Sequence, residues 1–137
     1  MPANLLSCTD IAVQPTGPGP NPRTIGNAQF AVFDFAGSPH PNSQILGAPA
    51  GPKVMDAGHR LEIKFRRPVS AVCMSLFHTA QAPNVRFFSP AGSVVGNVTL
   101  ATTQNVIQEV VASSKAIARI VVTSNANEAR LVSLCTA

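Results

Sequence analysis

The sequence consists of short runs of β-branched and aromatic residues, with turn residues between most of them. Nine runs have the length and composition of strands: LLSCTDIAV (5–13), AQFAVFDFA (28–36), RLEIKF (60–65), VSAVCMSLF (69–77), NVRFFS (84–89), SVVGNVTLA (93–101), NVIQEVVAS (105–113), AIARIVVTS (116–124) and ARLVSLC (129–135). This pattern predicts an all-β chain, an antiparallel β-sandwich or jelly roll of eight to nine strands with long Pro/Gly-rich loops.

Two stretches interrupt the strand pattern and predict those long loops. PTGPGPNPR (15–23) is too rich in proline for a helix or an inner strand. GSPHPNSQILGAPAGPK (37–53) is the second irregular stretch. SPAG (89–92) and SNANE (124–128) predict short turns. Because no independent unit fits before or between the two long stretches, residues 1–137 are predicted to form a single domain.

The segment from Arg60 to Phe77 changes its polarity pattern at Pro68. Before Pro68, apolar and charged residues alternate, which predicts a strand with one face in the core and one in water. The predicted inward residues are Leu61, Ile63 and Phe65, and the outward ones are Arg60, Glu62, Lys64 and Arg66. From Val69 to Phe77 nearly every residue is apolar, which predicts cover on both faces, the second under a loop or a neighbouring subunit. We expect the strand to change pairing partner at Pro68, which lacks a backbone donor.

The segment TQNVIQEVVASSKAIARIVV (103–122) allows a second interpretation. Val106, Ile107 and Val110 have helical spacing, but the density of Val and Ile and the Ser113–Ser114 break favour two strands.

The charge content constrains the partners. Only 12% of the residues are charged while 45% are hydrophobic, so the surface suits packing against copies of the chain or against other protein subunits. The alternative interpretation of the same composition is a weakly charged monomeric domain. The basic cluster comprises Arg60, Lys64, Arg66 and Arg67. Without Trp or Tyr for stacking, it is interpreted as a solvated strand face rather than a nucleic-acid patch. Phe88 joins it as a candidate contact surface, because alternation in residues 84–89 turns Phe88 outward. Most of the other phenylalanines are interpreted as core residues, including Phe30, Phe33, Phe65 and Phe77.

From residue 60 onward the sequence resembles galactose-binding-like (discoidin-type jelly-roll) β-sandwich modules. The segments that carry the resemblance, over about residues 60–135, are RLEIKFRRPVSAVCMSLF, NVRFFSPAGSVVGNVTL, KAIARIVVTS and ARLVSLC. The resemblance implies a jelly-roll fold and a non-catalytic role in binding sugars, other glycans or proteins. Two departures count against a sugar ligand: Val132 stands where similar modules often have an acidic residue, and no Trp or Tyr offers a stacking face.

The sequence contains no recognised catalytic motif, so no catalytic, cofactor or metal residues are predicted. The six acidic residues are scattered. His40, His59 and His78 lack the short spacing of metal ligands and are interpreted as exposed or hydrogen-bonded loop residues.

Three cysteines cannot all pair within one chain. Cys73, inside an apolar run, is expected to be buried and free. Cys8 and Cys135 lie in the first and last predicted strands, which are often neighbours in jelly rolls. We therefore expect them to be close, either as reduced thiols or as a disulfide.

These observations favour a non-enzymatic structural, assembly or binding subunit that acts through surface contacts and self-associates. The alternative is a glycan-binding, lectin-like module. With neither a secretory signal nor a membrane-spanning segment evident in the sequence, we expect cytoplasmic synthesis, no membrane insertion and a place in a larger assembly.

Overall fold

The computed structural model describes residues 6–9, 11–47, 53–124 and 129–137. They form eleven strands and one short 3-10 helix, Ile11–Val13. The strands are β1 (Ser7–Cys8), β2 (Gly17–Gly19), β3 (Arg23–Ile25), β4 (Ala28–Phe33), β5 (Ser43–Leu46), β6 (Val54–Asp56), β7 (Arg60–His78), β8 (Asn84–Phe88), β9 (Val94–Thr99), β10 (Gln108–Thr123) and β11 (Ala129–Thr136). The strands pair antiparallel, which confirms the predicted all-β class. Their number is higher than the eight to nine predicted.

Two long strands dominate the fold, and both were predicted as pairs of shorter strands. β7 runs unbroken through Pro68 for 19 residues, and β10 runs through Ser113–Ser114 for 16 residues. The helical interpretation of residues 103–122 is wrong, because pairing with β7 and β8 fixes β10 as a strand.

The pairing of β7 changes at Pro68, as expected. Residues 60–65 pair with β4, whereas residues 72–78 pair with β11 along the same edge. β10 follows the other edge throughout, with register shifts between Ser113 and Arg119 where β7 passes Pro68. The proline therefore lies where the chain passes from one pairing to the next, and its missing donor is tolerated there.

The exchange of partners divides the structure into two half-sheets that share β7 and β10. One half-sheet contains β3, β4, β8 and β9 with residues 60–65 of β7 and 119–123 of β10. The other contains β1, β2, β5, β6 and β11 with residues 72–78 and 108–113. Buried side chains of both half-sheets form one core, as in a β-sandwich. Its largest members include Phe30, Ile63, Phe87, Ile120, Ile45, Met74, Leu76 and Leu131.

Burial confirms the predicted register of the first part of β7. Leu61, Ile63 and Phe65 are buried, and Lys64 and Arg66 are exposed. Beyond Pro68 the alternation is interrupted at Ala71 and Val72, which are both buried, and then resumes shifted by one residue. Contrary to the expected cover on both faces, Met74 and Leu76 are buried, whereas Cys73, Ser75 and Phe77 are half-buried. The apolar composition concealed the alternation.

The two proline-rich stretches contain more regular structure than expected. β2 lies within residues 15–23 but at the end of the strand order, where proline is tolerated. β5 lies within residues 37–53, of which 48–52 are outside the described residues. The buried Arg23 fastens the first stretch to β5: its Nε donates to Ser43 Oγ at 2.8 Å.

The remaining local predictions have mixed outcomes. The SPAG turn is confirmed, with Gly92 N donating to Ser89 O at 2.9 Å and Gly92 at a φ of 89°. Most of the SNANE turn lies outside the described residues. In the described part of the chain, no helix has the length and apolarity to span a membrane.

Candidate functional site

The outer face of the first half-sheet presents three rows of side chains across four strands. The register aligns Phe33, Arg60, Thr123 and Asn84 in one row, Ala31, Glu62, Val121 and Arg86 in the next, and Gln29, Lys64, Arg119 and Phe88 in the third. Their alternate neighbours, such as Ile63, Phe87 and Ile120, fill the core. Since successive side chains of a strand point to opposite faces, all three rows point outward. We call this surface the outer face.

Glu62 is the electrostatic centre of the outer face. Arg119 Nη1 lies 3.1 Å from Glu62 Oε1, Arg60 Nη2 lies 3.7 Å from Oε2, and Lys64 Nζ lies 3.9 Å from Oε1. The Glu62 side chain is only 12% exposed, whereas its cationic partners are 38 to 61% exposed. The carboxylate is therefore covered by cations that still reach solvent. With Arg86, four cations face one carboxylate, which leaves the outer face with a net charge of +3.

Two of the arginines on the outer face stack over phenyl rings. Arg60 Cζ lies 4.2 Å from the centroid of the Phe33 ring, and Arg119 Cζ lies 4.4 Å from that of Phe88. Stacking on a ring holds a guanidinium in place while its peripheral N–H donors remain available. The rings therefore hold both guanidinium groups in a fixed orientation.

A shallow depression of about 220 Å³ lies at the β4 end of the outer face. Its lining includes Phe33, Gln29, Glu62 and Lys64, with Asn21 at its rim. The Asn21 side chain fixes that rim: Nδ2 donates to Val32 O at 2.9 Å and to His40 O at 2.7 Å, and Oδ1 accepts from Val32 N at 3.0 Å. The proline-rich stretch is thereby tied to β4 and forms one wall of the depression.

The structure brings three of the five predicted contact residues together on this face. Arg60, Lys64 and Phe88 belong to the rows described above. Arg66 and Arg67 lie beyond them, where β7 approaches Pro68, and are exposed. The backbone of Arg66 donates to Asn27 O, and that of Arg67 exchanges hydrogen bonds with the Asn27 side chain.

The sequence interpretation missed Arg119, Arg86 and the role of Phe33. Phe33 was assigned to the core, but it is half-buried beneath Arg60. The outward position of Arg119 can be predicted from the alternation in AIARIVVTS, because Ile120 and Val122 of the same strand are buried. Only the register places Arg119 diagonally across from Glu62, since the two are 57 positions apart.

The cysteines lie on the outer side of the second half-sheet. Cys8 and Cys135 form a disulfide between β1 and β11, with Cα atoms 3.9 Å apart. Cys73 is free, and it is half-buried rather than buried as expected. Its pKa is raised, first by desolvation and then by the hydrogen bond and negative charge of Glu109.

The three histidines have separate environments. His59 Nδ1 lies 3.3 Å from Ser124 O, and the fully buried His78 places Nε2 2.8 Å from Ala101 O. His40 is half-buried beside the depression rim. Among the described residues, no three His, Cys, Asp or Glu side chains form a group that could hold a metal ion.

The fold and the outer face define an all-β sandwich with a polar, cationic sheet surface. No family model and no curated protein matches the sequence. Matching solved structures include the CsCBM6-3 module from Clostridium stercorarium in complex with cellobiose, at 15% identity over 72% of this chain and 83% of that one, with a TM-score of 0.48. A family 6 carbohydrate-binding module matches at 11% identity over 69% of this chain and 81% of the module, with a TM-score of 0.47. A mutant of the family 29 module CBM29-2 matches at 10% identity over 80% of this chain and 90% of the module, with a TM-score of 0.41.

These modules have the galactose-binding-like β-sandwich fold that the sequence resemblance implied. The chain also matches an arabinoxylan arabinofuranohydrolase from Bacillus subtilis, at 11% identity over 77% of this chain and 32% of the enzyme, with a TM-score of 0.43. At these identities and TM-scores, what those proteins bind or cleave is not carried over to this chain.

Proposed function

We propose that this protein is a non-catalytic module that binds an acidic glycan across the outer face. The observation that carries the proposal is the set of cations around Glu62, two of which are stacked on phenyl rings. This arrangement offers oriented, charge-assisted donors on a rigid sheet. Such donors bind a carboxylate or sulfate group in a fixed geometry.

The side chains of the outer face suit a sugar chain with negative groups. Gln29 provides an amide donor and acceptor for hydroxyl groups at one side of the face. At the other side Asn84 offers its Oδ1 as an acceptor, since its Nδ2 already donates to Asn97 Oδ1 at 2.7 Å and to Thr99 Oγ1 at 3.0 Å. The distance from β4 to β8 is about 14 Å, because neighbouring strands lie about 4.8 Å apart. The surface therefore accommodates several sugar units of a chain.

An acidic ligand also accounts for one of the two departures of the sequence from sugar-binding modules, the absence of Trp and Tyr. A neutral sugar is usually held by an exposed Trp or Tyr face, and the chain has neither residue. Here the half-buried rings of Phe33 and Phe88 are stacked against arginines instead. Recognition then depends on the charge of the ligand more than on stacking.

Isothermal titration calorimetry with acidic glycans, a neutral xylan and polyglutamate tests this proposal. We expect polygalacturonate, or a sulfated polysaccharide, to bind and a neutral xylan to bind at least about tenfold more weakly. Arg119→Ala should lower the affinity about tenfold, and Lys115→Ala, which removes an exposed cation from another part of β10, should not. The proposal is overturned if neutral xylan binds equally well, or if polyglutamate binds as tightly as the acidic glycans.

Self-association is a second candidate, supported by the first half of β10. Among the described residues, the backbone of Gln108–Ser113 pairs with β7 along one edge only. Val106, Ile107 and Val111 are 48, 54 and 63% exposed near this edge. Open strand edges with exposed apolar side chains commonly pair with another chain.

A second copy of this chain fits the open edge. Antiparallel pairing about a twofold axis at Ala112 brings Glu109 of one copy near Lys115 of the other, twice. Val111→Lys should then convert a dimer to a monomer in analytical ultracentrifugation. Val94→Lys, which changes a 54% exposed valine on β9, should not. A wild-type monomer at high concentration excludes this candidate and leaves glycan binding unaffected.

A further inference from the structure

The three cysteines lie in one row across neighbouring strands. Cys8 is opposite Cys135, Cys135 is opposite Cys73, and Cys73 is opposite Val111. All of them point away from the core, because Val72, Met74 and Leu134 are buried. A free thiol therefore lies on the strand next to a disulfide, on the same face of the sheet.

The order within the row matches the geometry of thiol–disulfide exchange. A thiolate attacks one sulfur of a disulfide from the side opposite the sulfur that leaves. Cys135 lies between the other two, with Cys73 on β7 along one edge of β11 and Cys8 on β1 along the other. Cys73 is therefore placed to attack Cys135, whereas Cys8 is two strands away from it.

We propose that this row is an intramolecular thiol–disulfide exchange site in which Cys135 alternates between Cys8 and Cys73. The Cys73 thiol loses its proton to solvent, and its thiolate attacks Cys135 Sγ. The Cys73–Cys135 bond forms as the Cys8–Cys135 bond breaks, and Cys8 leaves as a thiolate that takes a proton from solvent. One disulfide and one thiol are present before and after, so the step requires no external oxidant or reductant.

Glu109 controls the availability of the attacking thiolate. It is the charged side chain that faces Cys73 from β10, while β11 presents Ser133 and Cys135. Burial and Glu109 raise the pKa of Cys73. The thiolate fraction, and with it the exchange rate, should therefore be small near neutral pH and increase about tenfold per pH unit below the pKa.

The exchange changes what holds the N-terminal strand. β1 has only two residues, and beside it Thr9 N donates to Leu134 O at 2.7 Å. Once Cys8 is released, these backbone contacts remain but the covalent link is lost. The new bond connects β7 and β11, which are already paired, so the core strands keep their arrangement.

Peptide mapping of the folded wild-type protein tests the exchange. The protein is incubated without reductant at about pH 9, unfolded in mild acid with N-ethylmaleimide to block free thiols, and digested with trypsin. Cleavage after Arg23, Arg86 and Arg130 places the three cysteines in separate peptides. We expect the blocked thiol to move from Cys73 to Cys8 while a Cys73–Cys135 linked peptide accumulates. Glu109→Gln should accelerate the exchange severalfold at a given pH.

Two variants serve as controls. Cys73→Ser should retain the Cys8–Cys135 link with no blocked thiol, and Cys8→Ser with oxidised glutathione should form Cys73–Cys135. The proposal is overturned if N-ethylmaleimide still labels Cys73 and not Cys8 after incubation at high pH. It is also overturned if the Cys8→Ser variant keeps two free thiols in the presence of oxidised glutathione. A Cys8–Cys73 link of comparable abundance would also overturn it, because that product requires an unfolded chain. Glycan binding on the other half-sheet does not depend on any of these outcomes.

Discussion

Arg119 Nη1 and Glu62 Oε1 lie 3.1 Å apart although the residues are 57 positions apart in the chain. The pairing of β7 with β10 places them diagonally on the outer face, where Arg60 and Lys64 also approach Glu62. The carboxylate thus holds together three cations that would otherwise repel one another.

Removing that carboxylate should destabilise the fold in a salt-dependent way. We expect Glu62→Gln to lower the free energy of unfolding by about 1 kcal/mol at low salt, and by less at about 0.5 M salt, where charges are screened. Glu109→Gln removes the same charge from an exposed site and should change it by less than about 0.5 kcal/mol. Urea melts at both salt concentrations measure these values, and equal losses for the two variants would contradict the role of Glu62.

The two faces of β7 should respond very differently to truncation. Phe65 is 8% exposed and belongs to the core, while the Lys64 side chain is 61% exposed. We expect Phe65→Ala to lower the free energy of unfolding by about 3–5 kcal/mol and Lys64→Ala by less than about 0.5 kcal/mol. Comparable losses in denaturant melts would mean that the register of β7 is shifted by one residue.

The bond between Cys8 and Cys135 should stabilise the fold, since it closes 127 positions of chain into a loop. We compare Cys73→Ser with the double variant Cys8→Ser/Cys73→Ser, so that no other disulfide can form. The chain-entropy model predicts a loss of about 4–5 kcal/mol in the double variant. A thiol titration of unfolded, unreduced wild-type protein should find one free thiol, and three would show that the cysteines are reduced.

Cys73 should titrate above the ordinary range of a cysteine thiol, because burial and Glu109 raise its pKa. The folded protein then holds this proton more tightly than the unfolded chain. The resulting stabilisation is complete below the unfolded pKa and is lost as the pH rises through the folded pKa. Initial rates of iodoacetamide alkylation, measured across a range of pH, give the pKa of Cys73 in the folded protein. Glu109→Gln should lower it, and an unchanged profile would show that Glu109 does not act on Cys73.

The sequence by itself determined the fold class and the inward face of β7. Alternation from Leu61 to Phe65 requires one buried face, and the position of Pro68 requires a change of pairing there. Both are local consequences of side-chain period and of a missing backbone donor, so they can be predicted without knowing the neighbouring strands.

Only the tertiary structure decided which distant residues share a surface. Arg119 lies beside Glu62, and Phe33 lies beneath Arg60 rather than in the predicted core. Both positions depend on the strand register, which brings residues of different strands side by side. The same holds for Cys73, whose place beside Cys135 depends on the pairing of β7 with β11. A strand's own sequence fixes which side chains point outward, but its partners and register arise from packing of the whole chain.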